Sequence, residues 1–175
     1  MRRVAVIGNA GGGKSTLSKR IAADIDAPYR AVDQILWAPG WRYREDFQAR
    51  HRAWLEEPAW VIDGFGAWGA IEERFTAADA ILWIDLPIAL HYWWATKRLA
   101  KAMVGRDADA PPGCSLATAV APFYRMIWEI HREHRERLAL LVETARDQGK
   151  AVHVLRSPAQ IARFRAGAWK FAAAA

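Results

Sequence analysis

The sequence predicts an α/β fold in which a parallel sheet is covered on both faces by helices. Three observations carry this. Short apolar runs recur at 4–7, 59–62 and 80–84, and a last strand-like stretch lies at 151–155. Stretches with helical periodicity lie between them, and strands that alternate with helices pair in parallel. The first run ends in a turn with glycines at 8, 11, 12 and 13.

Taken in order, residues 4–7 (Val-Ala-Val-Ile) contain no polar member, as a strand buried on both faces requires. A helix follows from Lys14 to about Ala23, with Leu17 and Ile21 four apart on one face. Residues 29–32 read as a further strand. Residues 37–42 contain Pro39-Gly40 and read as a loop. Residues 46–56 are helical and stop before Pro58. The run 59–62 ends at Asp63-Gly64, and a short helix is expected over 67–75. The run 80–84 ends at Asp85, and a helix is expected from Ile88 to about Met103. Residues 105–115, rich in Asp, Pro and Gly, predict a mobile loop. Residues 116–148 are helical, with a break expected near Pro122. A last strand at 151–155 and a helix over 158–166 close the chain.

The 175 residues show no repeat and no dividing linker, so 1–175 is expected to be a single domain. Hydrophobic residues at 53% and charged residues at 25% are ordinary for a globular protein. The stretch 81–95 is interrupted by Asp85, Pro87 and His91, which argues against a membrane span. Met1-Arg-Arg opens like a secretory signal, but 4–7 is too short for its apolar core. The single cysteine, Cys114, has no internal disulfide partner, and a reducing cytoplasmic location fits. A net charge of +6 suits an anionic partner such as a nucleotide, a phosphorylated substrate or nucleic acid, and it also serves solubility. The ten tryptophans are expected mostly in the core and in pocket walls.

The richest signal is Gly8-Asn9-Ala10-Gly11-Gly12-Gly13-Lys14-Ser15. Its spacing is the Walker A pattern, set between a strand and a helix as that motif demands. The glycines let the backbone curl so that its N–H groups point inward at phosphate oxygens. The helix starting near Lys14 aims its positive end at the same anion. Lys14 is expected on the β- and γ-phosphates, the Ser15 hydroxyl on Mg²⁺, and Thr16 on the α-phosphate. No Asn-Lys-x-Asp guanine-reading motif occurs, which makes ATP the expected triphosphate.

Asp33, Asp63 and Asp85 each follow an apolar run, and strand C-termini in parallel sheets face the ligand crevice. Asp63 and Asp85 are candidates for holding magnesium; for Asp85, helix capping or sheet support is an equal alternative. Asp33, with no helix evident behind it, is a candidate for orienting or deprotonating an acceptor hydroxyl. Phosphoryl transfer also needs cationic clamps. Candidates are Arg74, Arg98, Arg106, Arg132, Arg135 and Arg156. On a helical wheel Arg135 borders the apolar stripe, whereas Arg132 points further out. His131 and His134 are expected to be structural.

These motifs resemble the adenylate-kinase-like P-loop proteins described as DNA topology modulation proteins. The matching pieces run nearly end to end. They are the 8–15 loop, Asp33-x-x-x-Trp37-x-Pro39-x-Trp41, Trp60-Val-Ile-Asp63-Gly64, Arg74 shortly before Ala78-Asp79, Asp85-Leu-Pro87, Lys97-Arg98, Arg106 with Gly113-Cys114, Arg135, and Leu155-Arg156-Ser157-Pro158. The resemblance implies a P-loop NTPase fold with a five-stranded sheet of order 2-3-1-4-5. It implies a short lid at about 105–115 and an acceptor region within about 33–68. It also implies an adenine cradle at Arg156 and Ser157. Adenylate kinases proper carry Asp-Gly-Phe-Pro-Arg; here Asp63-Gly-Phe-Gly-Ala-Trp68 stands instead, which argues against AMP as acceptor.

The expectation is a kinase using ATP and Mg²⁺, with a small-molecule acceptor near Asp33, Trp37, Trp41 and Phe65. A nucleic-acid-associated ATPase or regulator is the second reading; no helix-turn-helix signature or sustained basic run supports it. A monomer and a homodimer are both compatible with the sequence.

Overall fold

A computed structural model describes residues 2–105 and 109–167. Its centre is a five-stranded parallel sheet. The strands are β1 (Arg3–Gly8), β2 (Tyr29–Ala31), β5 (Trp60–Asp63), β6 (Ala80–Ile84) and β7 (Ala151–Leu155), in the order β2-β5-β1-β6-β7. Counted along the chain this is 2-3-1-4-5, the order expected of a P-loop NTPase. A separate two-stranded hairpin joins β3 (Trp37–Ala38) to β4 (Arg42–Tyr43) where a plain loop was expected.

The pleat sends alternate residues to opposite faces. Ala5, Ile7, Trp60, Ile62, Ile81 and Trp83 pack on one side. There they meet α2 (Val32–Leu36), α3 (Phe47–Glu56), α4 (Trp68–Ala77) and α7 (Arg135–Asp147). Val4, Val6, Val61, Leu82 and Ile84 pack on the other, against α1 (Lys14–Asp24) and α8 (Pro158–Arg165). Every residue of β5 and β6 is buried, which is why β6, and β5 up to Asp63, read as apolar runs.

A third apolar cluster, Ala95, Leu99, Leu116, Phe123 and Ile127, joins α5 (Ile88–Met103) to α6 (Val120–Glu129). The long helical region breaks near Pro122 as expected: a 3-10 turn over Leu116–Thr118 ends, Ala119 is non-helical, and α6 begins at Val120. That proline sits in the first turn of α6, where its missing N–H costs nothing. Further on, a π turn over Ile130–His134 joins α6 to α7 within continuous helix. Among the described residues, no helix is long and apolar enough to cross a membrane.

Candidate active site

The phosphate loop leaves β1 at Gly8, which pairs in register with Ile84 of β6. Gly8 has φ +145°, and a Cβ there would lie 2.4 Å from the Ile84 carbonyl oxygen. Only glycine lets the chain turn this close to its neighbour. Gly13, also at positive φ, precedes the first turn of α1. The Lys14 ammonium folds over the loop and donates to the Asn9 carbonyl at 2.8 Å. The Asn9 side chain accepts from the Ala10 N–H at 2.8 Å and donates to the Ile127 carbonyl of α6 at 2.7 Å. Ser15 and Thr16 lie in the first turn of α1, at the positive end of its dipole.

Two carboxylates, Asp63 and Asp33, stand beside this loop. Asp63 ends β5 opposite Val6, is 4% exposed, and accepts from the Tyr29 hydroxyl at 3.1 Å through Oδ2. Its Oδ1 is buried without a protein partner. Burial raises the Tyr29 phenol above its ordinary range, helped by the Asp63 charge; the same hydroxyl also interacts with Ser15.

Asp33 differs from expectation in its backbone. It lies in the first turn of the five-residue helix α2, because Val32, Ile35 and Leu36 insert together into the core at helical spacing. Asp33 is exposed, with protein packed around part of its carboxylate. Crowding raises Asp33 above the usual carboxylate range, Lys14 opposes the rise and Asp63 adds to it; the open side limits the effect. Lys14 is lowered by burial, and Asp63 and Asp33 pull it back up. Arg98 contributes to the field at both groups. Lys14, Asp33, Asp63 and Arg98 thus form one charge cluster.

Asp85 is arranged otherwise than a magnesium ligand. Both its oxygens accept from Arg135, at 2.8 and 2.9 Å, and Arg156 approaches to 3.6 Å. Such a bidentate pair takes one lone-pair site on each oxygen and neutralises the charge. Arg135 consequently borders the site from α7, held by Asp85. Arg156 is exposed on the same carboxylate, with its backbone N–H on Gln160, and the Ser157 hydroxyl caps α8 through the Gln160 N–H.

Arg74 was expected to touch an acceptor, but it has no exposed surface. It donates to the carbonyls of Gly64 at 2.8 Å and Phe65 at 3.2 Å, and so holds the turn that follows Asp63. Burial pushes it down to about 10. The reason is topological: α4 packs its inner face, Ile71, Arg74 and Phe75, beneath that turn. Arg132 lies exposed in the π turn with its guanidinium over Trp128. Arg106 lies outside the described residues.

An aromatic wall flanks the cleft. Trp37 meets Trp41 edge-on at 5.9 Å and Tyr43 at 6.5 Å. Trp41 holds a left-handed backbone, φ +60°, uncommon for a bulky side chain. The hairpin is tied to the 109–115 segment at three points. The Gly40 N–H donates to the Gly113 carbonyl at 3.0 Å, the Trp41 indole to the Ser115 carbonyl at 3.1 Å, and the Cys114 thiol to the Ala38 carbonyl at 3.3 Å. The Trp-x-Pro-x-Trp and Gly-Cys pieces, far apart in sequence, therefore form one contact. Phe65 stacks on His134 at 5.8 Å and meets Trp68 edge-on at 5.5 Å. His134, expected to be structural, packs on Phe65 and Trp68, whereas Tyr29, a partner of Asp63, was read only as part of a strand. The π turn that brings His134 to Phe65 leaves no mark in the helical pattern.

No family model matches the chain, and no curated protein matches it. Among solved structures, it is similar to a gluconokinase from Sinorhizobium meliloti 1021, with a TM-score of 0.48 and 14% identity over 97% of each chain.

Proposed function

We propose that this protein is a phosphotransferase that moves the γ-phosphoryl group of ATP to a hydroxyl of a small acceptor. The observation that carries the reading is the placement of Lys14, in a glycine-rich loop, beside the carboxylates of Asp63, at the end of β5, and Asp33, in the first turn of α2. A binding module needs the cationic loop; a proton acceptor and a second carboxylate at its edge suit transfer.

The donor set fits magnesium. Asp63 offers a buried oxygen with no protein partner, and the Ser15 hydroxyl lies near it through Tyr29. Mg²⁺ on Ser15 and Asp63 would neutralise phosphate charge during transfer. Asp33 takes the proton as the acceptor oxygen bonds to the γ-phosphorus and the bond to ADP breaks. Lys14, Arg98 and Arg135 stabilise the charge of the moving group, and Arg106 is assigned the same work from the resemblance. Loop residues 8–16, with Arg156 and Ser157, bind the nucleotide. Trp37, Trp41 and Phe65 supply flat apolar surface, which suits a nucleoside or nucleotide other than AMP.

This reading places the chain among the adenylate-kinase-like topology modulation proteins it resembles, working in the cytoplasm. The test is incubation with Mg·ATP and a panel of nucleosides, nucleotides and sugars. The expected result is ADP release with one acceptor class, abolished by Lys14→Ala. Release no greater than that of Lys14→Ala with every acceptor would sink the proposal; stimulation by DNA alone would favour a nucleic-acid-associated ATPase.

A further inference from the structure

His91 is 2% exposed and lies on α5 against the phosphate loop. Its Nδ1 is 2.8 Å from the Ala10 carbonyl oxygen. A carbonyl only accepts, so the proton is assigned to Nδ1. Burial keeps the ring neutral, pushing it down to about 4. The contact continues over Gly11 and Gly12. A Cβ on Gly12 would lie 3.2 Å from the His91 ring, and one on Gly11 would lie 2.6 Å from the His91 carbonyl oxygen.

The consequence follows from the planar trans peptide, in which the carbonyl of one residue and the N–H of the next point in opposite directions. With the Ala10 carbonyl turned toward α5, the Gly11 N–H points away from α5. The Asn9 side chain pins the preceding residue to Ile127 of α6. Two successive residues of the loop are thus held by two different helices.

We infer that His91 is a positioning residue for phosphate binding: by holding the Ala10 carbonyl it aims the Gly11 N–H into the anion cradle. The inference rests on the nucleotide-binding reading and adds a residue outside the motif. Removing the imidazole takes the partner from a part-buried carbonyl and frees the peptide to rotate.

The experiment titrates Mg·ATP into wild type, His91→Leu and His91→Asn, following tryptophan emission. Trp94 packs beside Gly13 and serves as reporter. Leu is expected to weaken binding about tenfold or more, whereas Asn, which keeps an N–H donor, stays within about threefold of wild type. His91→Met provides a second donor-free variant should Leu not fold. Amide exchange of residues 10–13 without nucleotide is read in parallel, and is expected to speed up in the donor-free variants only. Wild-type affinity and exchange in a donor-free variant, or equal loss in the Asn and donor-free variants, overturns the inference. Absence of binding by wild type overturns the nucleotide reading instead, and the exchange arm still decides whether His91 orders the loop.

Discussion

The pairing of Asp85 with Arg135 makes a sharp prediction about which carboxylate serves magnesium. Asp85→Asn keeps the shape but removes the charge from a side chain 5% exposed. Two charge-assisted bonds are weakened, each worth roughly 1.5–3 kcal/mol when fully buried. Arg135 is 47% exposed, so solvent screens much of that, and a net loss of about 1–2 kcal/mol is expected. For a chain of this size that lowers Tm by roughly 2–8 °C. Asp63→Asn acts at the oxygen that has no protein partner and should behave differently. It is expected to raise the Mg²⁺ concentration needed for nucleotide binding about tenfold, the loss of one ligand's share of affinity. The assay is thermal unfolding of both variants, alongside nucleotide binding over a magnesium series. If Asp85→Asn shifts the magnesium midpoint and leaves Tm untouched, the division of labour between the two aspartates is wrong.

Three further outcomes are expected. Gly8→Ala should cost about 3 kcal/mol or more, from strained φ plus collision with the Ile84 carbonyl; Gly149→Ala, also at positive φ but with nothing within 4 Å, should cost only the backbone strain, and equal losses in urea unfolding would discount the collision. His51 is fully buried and lowered to about 4 by desolvation and the Arg74 charge, with Glu73 opposing. Its folded value lies below its unfolded value near 6.5, so the unfolded chain binds the extra proton and stability falls as pH drops from about 6.5 toward 4, by on the order of 2–3 kcal/mol; the slope between pH 7.5 and 4.5 should be shallower in His51→Leu than in wild type, and identical slopes would refute this. Trp41→Phe removes the indole bond to the Ser115 carbonyl, and amide exchange across 113–116 should accelerate about threefold to tenfold, an unchanged rate counting against the tie.

Much of the fold was legible because its signals are local. The runs at 80–84 and 151–155 match β6 and β7 residue for residue, since a strand in a parallel sheet needs only a short stretch without charge. The phosphate loop was legible for the same reason: eight consecutive residues carry glycine, lysine and hydroxyl at the spacing the backbone needs. The α2 helix around Asp33 was missed because five residues are too few to show periodicity; it forms only because Val32, Ile35 and Leu36 find the core together. The π turn at Ile130–His134 was missed because its residues are ordinary helix formers.

The sequence by itself determined the sheet, its helical covering and the phosphate loop, all of which follow from residue type and short spacing. It also set Asp63 at the end of a strand, whereas Asp33 falls in a short helix just beyond β2. Only the tertiary structure decided what each charge near the phosphate loop does. Arg74 is swallowed beneath the turn it supports, Asp85 is matched to an arginine fifty residues away, and His91 is set under the loop. These roles depend on which groups burial brings within hydrogen-bond distance, and burial is a property of the packed chain rather than of any segment of it.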